Sequence, residues 1–130
     1  MIVVDTSTWI AFLGGSVGGD VQFLDQALEA RHVVMIPVVL SELLSDPKLP
    51  STVAATLSDL PLMDISPGYW ERAGRLRAKV LAKRHKARLG DALIAQSCID
   101  AGLSLITRDR DFRAFAESAG LNLVLDSGGK

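Results

Sequence analysis

Short apolar runs alternate with helical patterns along this chain, and that alternation sets the class of fold available to it. Ile2–Val4, Val33–Ile36, Leu62–Ile65, Leu103–Ile106 and Leu121–Leu125 read as strands. Between them the sequence predicts helices over Thr6–Leu13, from about Asp20 to Ala30, Val38–Ser45 behind Pro37, and Thr52–Leu60. A long helix opened by Ser66-Pro67 reaches about Lys83, and two more span Gly90–Ala101 and Asp109–Ala119, closed by Gly102 and Gly120. Strands separated by helices need right-handed crossovers and pair in parallel. The expectation is an α/β fold in three layers, with five short strands. At 130 residues the chain makes one domain. A composition 48% apolar, with a mean hydropathy of +0.27, suits strands buried on both faces and excludes disorder.

Against this frame, four acids stand where a parallel sheet gathers them: Asp5, Glu42, Asp91 and Asp109, with Asp111 beside the last. Ligand sites in open α/β sheets lie beyond the carboxyl ends of the strands. Asp5 directly follows the first strand, Asp109 comes three residues after the fourth, and Asp91 opens the helix leading back into the fourth. Glu42 interrupts the apolar run Val38–Leu44, about one turn into the helix after the second strand. Each has an ordinary reading by itself. Asp5, Asp91, Asp109 or Asp111 can cap a helix or sit in its first turn, and Glu42 can face solvent. Together at one edge they repel one another by roughly 4 kcal/mol per pair at ~4 Å and an effective dielectric near 20. A hard divalent cation with oxygen ligands offsets that repulsion. The absence of histidine from the set favours such an ion over zinc.

Four segments carry a family resemblance. Val3-Val4-Asp5-Thr6-Ser7, Pro37-Val38-Val39-Leu40-Ser41-Glu42-Leu43, Leu89-Gly90-Asp91-Ala92-Leu93-Ile94-Ala95 and Leu105-Ile106-Thr107-Arg108-Asp109-Arg110-Asp111-Phe112 resemble, in order and spacing, the acidic segments of PIN-domain ribonucleases. In size the chain is most similar to VapC-type toxins of bacterial toxin–antitoxin pairs. The resemblance implies a PIN-like α/β/α fold with strand order 3-2-1-4-5, and a Mg²⁺- or Mn²⁺-dependent endoribonuclease. It implies catalytic roles for Asp5, Glu42, Asp91 and Asp109, with Asp5, Asp91 and Asp109 on the metal. Asp111 becomes an accessory acid, and Thr6 or Ser7 the hydroxyl that orients Asp5. It also implies an RNA substrate, an antitoxin protein partner and a homodimer.

RNA requires positive charge beside the acids. The net charge is −1, so the distribution matters more than the sum. Residues 72–88 hold eight of the fourteen Lys and Arg. Arg72, Arg75, Lys79, Lys83 and Lys86 follow helical spacing, opposite Trp70, Ala73, Val80 and Leu81, and the stripe runs through Arg88 into Asp91. Arg108 and Arg110 surround the fourth acid, able to hold phosphate or to pair with Asp109 and Asp111. The other reading of the stripe is a solvated helix face. His32 and His85 read as surface residues, and Trp9, Tyr69 and Trp70 as packing or subunit contacts.

Other classes fit less well. A haloacid-dehalogenase-like phosphatase would need a second acid at position 7, which is Ser7. A response-regulator receiver would need an acidic pair after the first strand, a phosphoacceptor Asp after the third and a Lys after the fifth. Only Asp64 loosely suits, and the fifth strand runs into Leu125-Asp126-Ser127. A non-catalytic RNA-binding module is separated from a nuclease by metal-dependent cleavage. The loop Gly14–Gly19 lacks the Lys-Ser/Thr ending of a phosphate-binding P-loop. The lone Cys98 excludes an intrachain disulfide and suits a reducing cytoplasm. A first strand at Ile2 leaves no room for a signal peptide, and no apolar run is long enough for a membrane span.

Overall fold

The computed structural model describes residues 1–124. Four parallel strands, β1 (Ile2–Val4), β2 (Val33–Val34), β3 (Ser104–Ile106) and β4 (Leu123–Val124), form one sheet in the order β2-β1-β3-β4. Val3 pairs with Val34 on one side and Leu105 on the other, and Ile106 pairs with Val124. The helices are α1 (Thr6–Leu13), α2 (Gly19–Glu29), α3 (Pro37–Leu44), α4 (Ser51–Ser58), α5 (Tyr69–Ala82), α6 (Leu89–Ala101) and α7 (Phe112–Ala119). Helix α1 packs on both α2 and α3, and α5, α6 and α7 pack on one another. Val3, Val4, Leu105 and Ile106 are fully enclosed between them, with Leu24, Phe112 and Phe115. This is why the strands read as unbroken apolar runs rather than alternating ones.

Five strands are expected; among the described residues four form. Leu62–Ile65 supplies only a single bridge, Leu62 to Met35. Met35 N donates to Pro61 O at 2.7 Å, and Met63 N donates to Met35 O at 2.8 Å. The segment lies outside β2, where strand order 3-2-1-4-5 would put the third strand, but pairing stops after one rung. Pro61 has no N–H to give, and Leu62 and Ile65 are 51% and 45% exposed, so little burial rewards a longer edge. Leu125, the last residue of the expected final strand, lies outside the described residues.

Two helices start later than expected. Helix α5 begins at Tyr69 because Gly68 adopts φ 81° immediately before it. Helix α7 begins at Phe112 rather than Asp109, because Asp109 Oδ1 accepts Asp111 N at 2.9 Å and turns the chain before the helix. Cys98 is buried, and burial, aided by Asp5, pushes its thiol up to about 12, so it serves as a packing group. Among the described residues no helix is long and apolar enough to cross a membrane.

The two ends of the α5–α6 pair make a contrast. After α6, Leu103 N reaches back to Cys98 O across Gly102 at φ 66°. After α5, His85 N reaches Val80 O and Arg84 N reaches Leu81 O in the same pattern, but the left-handed residue is Arg84, at φ 64°. A side chain costs about 1 kcal/mol in that conformation. Arg84→Gly is therefore expected to stabilise the protein by about 1 kcal/mol in urea denaturation; an unchanged midpoint would contradict it.

Candidate metal centre at the sheet switch point

The strand order reverses between β1 and β3, and the acids meet at that crevice. Asp5 N donates to Ile106 O at 2.8 Å, which ties the first residue after β1 to the end of β3. Asp5 is 4% exposed. Its Oδ2 accepts from Ser7 Oγ at 2.6 Å, Thr107 Oγ1 at 2.8 Å and Ser7 N at 3.3 Å. Burial raises the Asp5 pKa above the ordinary value, against the lowering effect of those hydrogen bonds. Asp5 thus caps α1 and also sits at the floor of the crevice.

Asp91 enters from the first turn of α6. Its pKa is raised to about 6, first by burial and then by the charges of Asp5, Asp109 and Asp111, with Arg88 acting in the opposite sense. Its Oδ2 is buried with no hydrogen-bond partner. Ligand oxygens of Asp91, Asp109 and Asp111 lie within 4.8 Å of one another. Asp111, expected as an accessory, thus joins Asp91 and Asp109, while Asp5 is outside that group and acts on Asp91 through its charge.

Glu42 projects from α3. Its Oε1 accepts the Thr6 hydroxyl hydrogen. A Cβ on Gly90 would come within 3.2 Å of its Oε2, so the missing side chain lets Glu42 close over the residue before Asp91. The two hydroxyls after Asp5 therefore divide the work: Ser7 orients Asp5 and Thr6 holds Glu42.

The donor set is all carboxylate, one oxygen is buried and unpartnered, and the charges raise the pKa of Asp91. A buried acceptor without a partner is costly unless something binds it. These residues fit a hard divalent cation.

The basic residues are less unified than expected. The stripe does not continue as one helix face, because α5 ends at Ala82 and Lys83, Lys86 and Arg88 fall in the turn toward α6. Arg75 and Lys79 are exposed on α5. Its buried face is Tyr69, Ala73, Leu76 and Val80, and Trp70, expected on the inner side, is 62% exposed. Arg72 pairs with Asp100 at 2.6 Å and donates to Pro67 O. Asp100 lies roughly 13 Å along α6 from Asp91, at 1.5 Å per residue, so Arg72 serves the opposite end of the helix pair. Arg77 Nε holds the turn by donating to Ala87 O at 2.8 Å.

Arg108 pairs with neither Asp109 nor Asp111. Its guanidinium grips Asp20 with two hydrogen bonds of 2.8 Å and reaches Val17 O at 3.3 Å. Asp20 also accepts from Thr8 Oγ1 at 2.9 Å. Burial works to raise the Asp20 pKa, but Arg108 and Thr8 outweigh it and hold the carboxyl below its usual range. Gly18 makes room for the pair, since a Cβ there would lie 2.7 Å from Asp20 Oδ1. Asp20 reads in sequence as an ordinary acid in the first turn of a helix, so its partner was not visible. Thr107 was also missed as a functional residue: it donates to Asp5 and accepts Asp109 N at 3.0 Å, joining two acidic segments. Its place two residues before Asp109 is the available signal. Asp20→Ala is expected to cost about 1–2 kcal/mol in thermal denaturation, because it strands Arg108 and the Thr8 hydroxyl. A loss below 0.5 kcal/mol, on the order expected of an exposed pair, would contradict it.

A family model described as PIN domain matches residues 2–118. Ribonuclease VapC11 of Mycobacterium tuberculosis is 28% identical over 129 residues, covering 93% of this chain and 96% of that protein. VapC ribonuclease Mb1587 of Mycobacterium bovis matches equally, at 28% over the same length. Among solved structures, VapBC-5 from Mycobacterium tuberculosis, a toxin–antitoxin system, shares 25% identity with a TM-score of 0.66, covering 95% of this chain and 96% of that one. VapBC2 from Rickettsia felis, bound to a promoter DNA fragment, has a TM-score of 0.71 at 24% identity, covering 95% and 98%, which establishes likeness of fold.

Proposed function

This chain belongs to the PIN-domain family, and from that premise we propose that it is a metal-dependent endoribonuclease, the toxin of a toxin–antitoxin pair, cutting structured RNA in the cytoplasm. The relatives named as VapC ribonucleases support the activity. One observation carries the reading at this chain's own residues: the buried, unpartnered Asp91 Oδ2 in a crevice shared with Asp5, Asp109 and Asp111.

Asp91, Asp109 and Asp111 would hold Mg²⁺ or Mn²⁺, with Asp5 completing the charge. Such an ion, when bound, lowers the pKa of water and offsets charge on a phosphate and its leaving oxygen. The protein supplies alignment. Ser7 and Thr107 lock the Asp5 rotamer, and Thr107 sets the start of the Asp109 turn. Glu42, with Oε1 occupied by Thr6, has Oε2 to receive a proton from the attacking water. Lys83, Lys86 and Arg88 lead into Asp91 and Arg110 stands between Asp109 and Asp111; these cations would meet the RNA backbone, with Arg75 and Lys79 extending the track along α5. The solved toxin–antitoxin complexes of like fold support a small antitoxin as protein partner. A homodimer is the expected state, checked by sedimentation.

The test is a panel of structured RNAs incubated with Mg²⁺, Mn²⁺ or EDTA. Cleavage with either ion and none with EDTA is expected. Cleavage that persists in EDTA, or RNA that binds and stays intact with every ion, would overturn the proposal.

A further inference from the structure

A cavity opens beside the acids, at Asp111. It has a volume of about 190 Å³ and is lined by His85, Lys86, Arg110, Asp111, Arg113 and Glu117. Arg113 and Glu117 stand one turn apart on α7, the spacing at which opposite charges face each other. The lining as a whole sets Lys86, Arg110 and Arg113 against Asp111 and Glu117, an excess of positive charge. Lys86 Nζ lies 3.5 Å from Asp111 Oδ2, a long contact from a side chain 59% exposed. Arg110 makes no ion pair among the described residues.

The backbone builds both walls. The left-handed Arg84 turns the chain at the end of α5, and the next two residues, His85 and Lys86, form one side. On the other, the hydrogen bond from Asp111 N to Asp109 Oδ1 closes a turn with Arg110 at its tip.

We propose that this pocket binds a non-scissile phosphate of the RNA, next in the strand to the one being cut, through Lys86, Arg110 and His85. The assignment of the strand rests on the nuclease reading above. Asp111 belongs both to the pocket and to the group of three acids, so a strand anchored in the pocket crosses the acids at once. An excess of cations continuous with the acids through Asp111 suits the repeating phosphates of a strand that crosses them. The pocket thereby sets the register of cleavage, a task that a uniform stripe of charge along α5 does not perform.

The test measures binding apart from cleavage. Lys86→Ala and Arg110→Ala are placed in a chain carrying Asp91→Asn, and affinity for a single-stranded RNA is followed from 50 to 300 mM salt. Each change is expected to weaken binding by about threefold to tenfold at low salt. Each should also reduce the slope of log affinity against log salt by about 0.7. Lys86→Arg should keep the slope. Unchanged slopes in both alanine variants, with melting curves like the parent, overturn the proposal. So does loss of antitoxin binding with RNA binding intact, which would give the pocket to the protein partner. Failure of the unmodified chain to cut any RNA would refute the nuclease reading instead, while the salt slopes still decide the pocket.

Discussion

Asp91→Asn is expected to lower RNA cleavage by at least about 100-fold, the loss typical of removing one preorganised electrostatic group from an active site. The metal-free protein should at the same time become more stable. Asp91 is held with its carboxyl raised to about 6 by burial and by the charges of Asp5, Asp109 and Asp111, so its ionised form opposes folding at neutral pH. A shift of that size corresponds to at most about 3 kcal/mol, and partial exposure reduces it to about 1–2 kcal/mol. Opposite signs for activity and stability mark a residue kept for chemistry rather than for packing. The measurement pairs single-turnover cleavage with urea denaturation in EDTA. Full activity would remove Asp91 from the site. A destabilised variant would mean that its buried oxygen has a partner after all. Asp5→Asn should also abolish cleavage, without the gain in stability, because its Oδ2 accepts three hydrogen bonds that an amide keeps only in part.

The second large effect is stabilisation by the ion itself. Mg²⁺ or Mn²⁺ at a hundredfold excess over its dissociation constant should raise the unfolding free energy by about 2.7 kcal/mol. Asp91→Asn should lose most of this gain. The pH dependence has a defined sign. Asp91 in the folded, metal-free chain binds its proton below about 6, whereas the unfolded chain does so only near 3.8. Between those values the folded state holds more protons, so the Asp91 contribution makes the metal-free protein more stable as pH falls through about 6. The cation needs the ionised carboxylate, so its added stability fades over the same range as pH falls. Thermal melts at pH 5 and pH 7.5, with and without Mg²⁺, separate the two trends. Equal stabilisation by Mg²⁺ at both pH values would count against Asp91 as a ligand.

Much of this was legible in the residues. Asp5, Asp91 and Asp109 announce themselves by standing at strand ends and helix starts, and Glu42 by breaking an apolar run. Local pattern suffices there because the crossover rule carries each position to the same edge. It does not suffice for rotation or partners. Trp70 was expected inward because the stripe was traced through Lys83 and Lys86, residues that lie past the end of α5. Arg108 adjoins an acid in sequence yet turns to Asp20, a residue 88 positions away. The third expected strand failed because strand propensity describes a segment, whereas pairing depends on what an edge has left to bury.

The rung from Asp5 N to Ile106 O is the last one shared by β1 and β3, and the residue donating it is also an acid of the crevice. Fraying at the tip of the sheet would therefore part the acids of the crevice before the core opens. Amide exchange at Asp5 is in effect a gauge of catalytic readiness, reporting how often the nuclease is out of order while still folded.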